Sequence, residues 1–95
     1  MTDDLSLKPP VDAVAIRNWM VAYISSVIDV QQNPFPQEER FDNYGLDSVE
    51  ITIMCGMMEE QFGLEVNPDE VFENPSVAAL SAHLARRIGE RAAAT

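Results

Sequence analysis

The segment Gly45-Leu46-Asp47-Ser48-Val49-Glu50 sets one hydroxyl between two carboxylates three residues apart. Asp and Glu at that spacing form a capping-box variant, with Asp47 as the helix cap and Glu50 at the third helical position. If Asp47 does the capping, Ser48 falls at the first helical position and is free to point outward. There the free amides and the dipole of the helix favour an attached phosphate. On the bare residues the plainer alternative stays open, with Ser48 itself the cap and nothing more. Serine catalysis fails on inventory. The one histidine, His83, falls in the middle of a later helix, and no Gly-x-Ser-x-Gly elbow is present. His83 is expected at a surface or edge. A calcium loop centred on Gly45 fails too: its first position would be Arg40 and its twelfth Ile51, where acids are needed. No metal site is expected.

The elements that must position these residues are helical. Asp12 is a plausible cap for a first helix, whose apolar stripe is Ile16, Trp19, Met20, Tyr23, Ile24, Val27 and Ile28. That helix should stop by about Val30, because Asn33-Pro34-Phe35-Pro36 cannot continue it. A long connection follows to Leu46, and Phe35, Phe41, Tyr44 and Leu46 are expected to pin it to the core. Gly45 predicts a backbone bend. The second helix is predicted over Ser48 to Phe62, with Gly63 as its stop. Asn67-Pro68-Asp69-Glu70 opens a short third helix that buries Val71 and Phe72. The same grammar at Asn74-Pro75-Ser76 opens a fourth, with Val77, Leu80, Leu84 and Ile88 inward. The fold class is all-α: a small four-helix bundle with a long first loop and a short third helix. Residues 1–11 read as a flexible leader, 12–91 as the domain and 92–95 as a frayed end.

The second helix carries two apolar rows. Ile51, Met54, Cys55, Met58 and Phe62 fall within about a 100° arc and form the core stripe. Met54 and Met58 are core filler, and Cys55 is a small buried hydrophobe rather than a reactive thiol. Val49, Ile53 and Met57 lie on the other side with Gly56 and Glu60. A helix with one core face has no structural use for a second row, so this one is read as a recognition surface.

Composition narrows the function classes. The 95 residues carry 16 acids against 6 bases, a net charge of −10. That field repels phosphate backbones, so nucleic-acid binding is not expected. From Phe41 to Ala85 there are nine acids and no Lys or Arg, a face suited to basic partner proteins. No stretch approaches the ~20 apolar residues of a membrane span. The acidic start and the single cysteine, Cys55, lead to the expectation of a cytoplasmic, reducing setting.

The string Phe41-Asp42-Asn43-Tyr44-Gly45-Leu46-Asp47-Ser48-Val49-Glu50 closely resembles the modification site of acyl carrier proteins, whose core is an Asp-Ser pair after Gly-Leu. The similarity continues through Glu59-Glu60-Gln61-Phe62-Gly63 and from Val71 to Leu80, covering about residues 12 to 90. The resemblance implies that Ser48 carries a 4′-phosphopantetheine arm, installed from coenzyme A by a phosphopantetheinyl transferase, with acyl groups held on its thiol as thioesters. It implies a non-catalytic monomer that meets an acyl-loading ligase or acyltransferase, and a ketosynthase or other acyl-processing enzymes. Leu46, Val49, Glu50, Ile53, Met57 and Glu60 are the residues expected to face them, and the bundle could shelter an acyl chain. Ile53 departs from the family, where many relatives carry an acid, and makes the docking face less electrostatic. The Leu-Asp-Ser version favours acyl over peptidyl cargo and is more similar to carriers of polyketide or specialised lipid pathways. A chain holding only the carrier is expected to be freestanding. The competing reading is an unmodified acidic adaptor that binds a partner through the second helix.

Overall fold

The computed structural model describes residues 12–30 and 34–94; the leader expected over 1–11 lies outside them. Helix α1 spans Ala13–Val27, α2 Ser48–Phe62, α3 Pro68–Glu73 and α4 Val77–Ala94, with a 3-10 turn at Phe41–Tyr44 inside the first loop. Among the described residues the extended chain makes only an isolated bridge, Arg40 with Ser76. The architecture is the expected helical bundle.

Local chemistry sets the boundaries. Asp12 accepts the Ala15 amide at 2.9 Å and starts α1. The helix stops at Val27, after which Ile28 is extended. Gly63 ends α2 in the left-handed region at φ 65°, where only glycine is free of Cβ strain. In α3, Pro68 stands at the first helical position and the Glu70 carboxylate accepts the Asn67 amide at 3.0 Å. The fourth helix departs from its expected opening. Asn74 closes α3, its side chain donating to the Glu70 carbonyl, and Ser76 caps α4 by accepting the Ala79 amide at 3.1 Å. Pro75, between them, has no amide to donate and separates the two helices. Helix α4 runs on through Ala92-Ala93-Ala94, residues of high helix propensity.

The core is one cluster. Ile16, Met20 and Ile24 of α1 join Ile51, Met54, Cys55 and Met58 of α2 and Val77, Leu80 and Leu84 of α4. Trp19 stacks on Tyr23 (5.2 Å between centroids) and meets Phe62 edge-on, so the aromatics form a partly buried rim. Two expectations fail. Val27 is exposed at the end of its stripe. Phe72, expected inside, is 54% exposed. Successive helical residues point 100° apart, and a six-residue helix resting on the bundle through Val71 turns its neighbour outward.

The long loop is fastened rather than loose. Phe41 donates to the Pro75 carbonyl at 2.8 Å and Ala78 to that of Gln37 at 2.9 Å, tying the loop to the start of α4. Phe41 and Leu46 are buried, while Phe35 and Tyr44 pack edge-on at the core margin. Gly45 then turns the chain at φ 95° into α2. This bend delivers Asp47 and Ser48 to the surface.

Candidate functional site

Asp47 is the cap of α2: its carboxylate accepts the Glu50 amide at 2.9 Å, and its carbonyl accepts the first helical bond, from Ile51, at 2.9 Å. Ser48 therefore stands at the first helical position and is exposed. The amides of Ser48 and Val49 precede the first bond inside the helix, so they face the site with the positive end of the dipole behind them. The alternative in which Ser48 does the capping is excluded. The Thr52 hydroxyl donates back to the Ser48 carbonyl at 2.9 Å, a further bond within the first turn.

Ser48 borders a groove of about 230 Å³ between the loop, α2 and α3. Its apolar lining is Phe41, Leu46, Ile51, Val71, Phe72 and Pro75, and Arg40, Asp42 and Asp47 are polar groups around it. The Arg40 guanidinium donates to Asp42 at 3.1 Å, and both side chains are largely exposed.

The residues expected to face partners divide. Val49, Ile53 and Met57 are 64%, 49% and 46% exposed, forming the outward row, and Glu60 is exposed beside it. Leu46 does not belong there. It is 1% exposed, inside the core and at the groove floor, because the turn at Gly45 swings it under α2. Glu50 is half-buried. Its charge, after the larger effect of burial, helps push the Tyr23 phenol above its ordinary pKa, which places it toward α1.

Three features eluded the sequence reading. Glu70 accepts from His83 at 2.8 Å and from Arg87 at 2.8 Å, and Arg87 also donates to the Glu65 carbonyl. Burial raises the Glu70 pKa, but the Asn67 amide, His83 and Arg87 outweigh it and hold the carboxyl below its usual range. This cluster locks α3, and with it one groove wall, onto α4. Arg40 could have been noticed as the last base before the run from Phe41 to Ala85 that has none. The exposure of Phe72 was latent in the shortness of its helix. His83 is an edge residue, as expected. Burial pushes the Cys55 thiol up to about 11, helped by Glu59 and Glu70, in keeping with an inert core group.

Residues 18–84 match the family described as "Phosphopantetheine attachment site". The chain belongs to that family. It is 25% identical to the acyl carrier protein TtuC of Teredinibacter turnerae, over 92% of this chain and the whole of that protein. It is 25% identical over 67% of its length to the polyketide synthase PksL of Bacillus subtilis, covering 1% of that protein. With a phenolphthiocerol/phthiocerol polyketide synthase of Mycobacterium tuberculosis the identity is 26% over 74% of the chain and 4% of the synthase. The chain thus spans only a small part of these synthases. A free-standing peptidyl carrier protein from an uncharacterized secondary metabolic pathway of Acinetobacter baumannii shares the fold at TM-score 0.74 and 22% identity, over 83% of this chain and 99% of that one.

As a member of this family the chain is a carrier, and 4′-phosphopantetheine is its cofactor. The surroundings of Ser48 fit such a group: an exposed hydroxyl-bearing residue, two amides at a helix start, a guanidinium nearby and an apolar groove alongside. Among the described residues no helix is long and apolar enough to cross a membrane, and no cluster of His, Cys, Asp and Glu could hold a metal ion.

Proposed function

We propose that this protein is an acyl carrier and that Ser48 is the residue esterified by the arm. The observation that carries the reading is the division of labour at the start of α2, where Asp47 takes the cap and Ser48 is left exposed beside a groove. Asp47 holds the first turn in place. The amides of Ser48 and Val49 stabilise negative charge on the phosphodiester. When attached, the group supplies a terminal thiol on which acyl cargo rides as a thioester. The protein itself is non-catalytic in this reading: its one histidine is engaged by Glu70, which supports a role for Ser48 as acceptor rather than nucleophile of a triad.

Val49, Ile53 and Met57 form the landing surface for partners, with Glu60 beside them. The partners are a phosphopantetheinyl transferase, an acyl-loading ligase or acyltransferase, and a ketosynthase or another acyl-processing enzyme. The relatives in polyketide synthases support a polyketide or specialised lipid pathway. The cytoplasm, where coenzyme A is at hand, is the compartment this reading requires. The competing adaptor role has no use for a phosphopantetheine attachment family, and the outward row serves a carrier equally well.

Intact mass after incubation with coenzyme A and a broad phosphopantetheinyl transferase tests the assignment. Wild type should gain one arm, and Ser48→Ala none. An arm on Ser48→Ala, or none on wild type, overturns it.

A further inference from the structure

Two residues at the Ser48 groove are unexplained by packing. Phe72 is a large aromatic more than half exposed on a six-residue helix. Arg40 is the one base lining the groove, and its pairing with Asp42 leaves both side chains largely in solvent. An exposed pair of this kind contributes little and rearranges readily. We propose that these two residues hold the arm itself: Arg40 pairs with the phosphodiester on Ser48, and Phe72 packs against the geminal methyls of the adjoining pantoyl unit. The inference rests on the assignment of Ser48 as the attachment point.

Charge and size select this occupant. A phosphodiester on Ser48 would enter a neighbourhood that already holds Asp42 and Asp47, and the sequence offers no base from Phe41 to Ala85. Arg40 is the group that offsets that repulsion, and a guanidinium suits a phosphate in geometry as well as charge. The groove, at about 230 Å³, has room for about eight water-sized groups at ~30 Å³ each. That matches the branched pantoyl end of the arm rather than the whole arm with a long cargo. The mixed lining suits a segment that is apolar at its methyls and polar at its phosphate and amide.

Both sides of the clamp are braced by the same helix. Arg40 is bridged to Ser76, and Phe41 donates to Pro75, at the start of α4. Phe72 rides on α3, which Glu70 fastens to His83 and Arg87 of α4. The backbone on both sides is therefore already fixed when the arm arrives, and the ordering cost is confined to the Arg40 and Phe72 side chains.

Nuclear magnetic resonance on the holo-protein, with intact mass checked first, decides the matter. In wild type the two pantoyl methyl resonances should shift upfield from their positions in coenzyme A and show contacts to the Phe72 ring. Both effects should vanish in Phe72→Ala. The phosphodiester phosphorus resonance should move with added NaCl in wild type and move less in Arg40→Gln. Methyls at their free positions without Phe72 contacts overturn the proposal while leaving Ser48 as the attachment point. So does a Phe72 contact that appears only after an octanoyl chain is loaded, which would make the groove a cargo site. A wild-type protein that gains no arm overturns both readings.

Discussion

Leu46 and Val49 stand three residues apart and do opposite work. Leu46 is sealed under the first turn of α2, whereas Val49 is the most exposed of the outward row. Leu46→Ala should cost about 2–5 kcal/mol by urea unfolding, since it opens a cavity that the packed loop cannot easily fill. Val49→Ala should stay within about 0.5 kcal/mol. Equal penalties would return Leu46 to the surface. Glu70 offers a second test at this scale. Its folded pKa is depressed below the ordinary value of 4.5, so the stability it contributes is present above that value and lost as pH falls through the folded pKa. Glu70→Gln should therefore destabilise the protein at pH 7, and the penalty should shrink toward zero in urea titrations carried below pH 4.5. A penalty constant with pH would mean that the charge on Glu70 is immaterial.

The elements divide into one helix that reads outward and three that hold it. α2 is apolar on two sides: Ile51, Met54, Cys55 and Met58 anchor it, while Val49, Ile53 and Met57 stay exposed and in the proposed function meet a partner. Truncation of an outward residue should separate the two roles. Ile53→Ala should leave the unfolding midpoint unchanged while lowering kcat/KM for arm attachment by a phosphopantetheinyl transferase roughly fivefold, the equivalent of about 1 kcal/mol at an interface. An unchanged rate would remove Ile53 from the docking surface. The short α3 contributes Val71 to the core, and its Glu70 contacts keep the wall of the groove in register with α4.

For the molecule as a whole, a net charge of −10 on 95 residues acts twice. It repels itself, which strains the compact state, and in the proposed function it would draw basic partners toward the face around Ser48. Screening reaches about 30 Å at 0.01 M salt and about 8 Å at 0.15 M. Raising NaCl between those values should lift the thermal midpoint of the protein while slowing arm attachment by the transferase. A rate insensitive to salt would leave the apolar row as the main determinant of docking.

Most of the frame was readable in one dimension, because caps, stops and apolar stripes act between residues one to four apart. Asp12 opens α1, Asp47 caps α2, Gly63 ends it, and the outward row of α2 follows from 100° per residue alone. The Asp47-Ser48 pair was legible for the same reason, since the cap and the exposed serine are neighbours. Tertiary structure decided what depends on distant partners. It chose the core over the partner-facing place for Leu46, turned Phe72 outward, moved the α4 cap to Ser76, and joined Glu70 to His83 and Arg87, 13 and 17 residues on. It also laid the loop against α4, which sets Arg40 beside the groove. Those placements follow from which surfaces meet when helices pack, a property of the whole chain that no local spacing encodes.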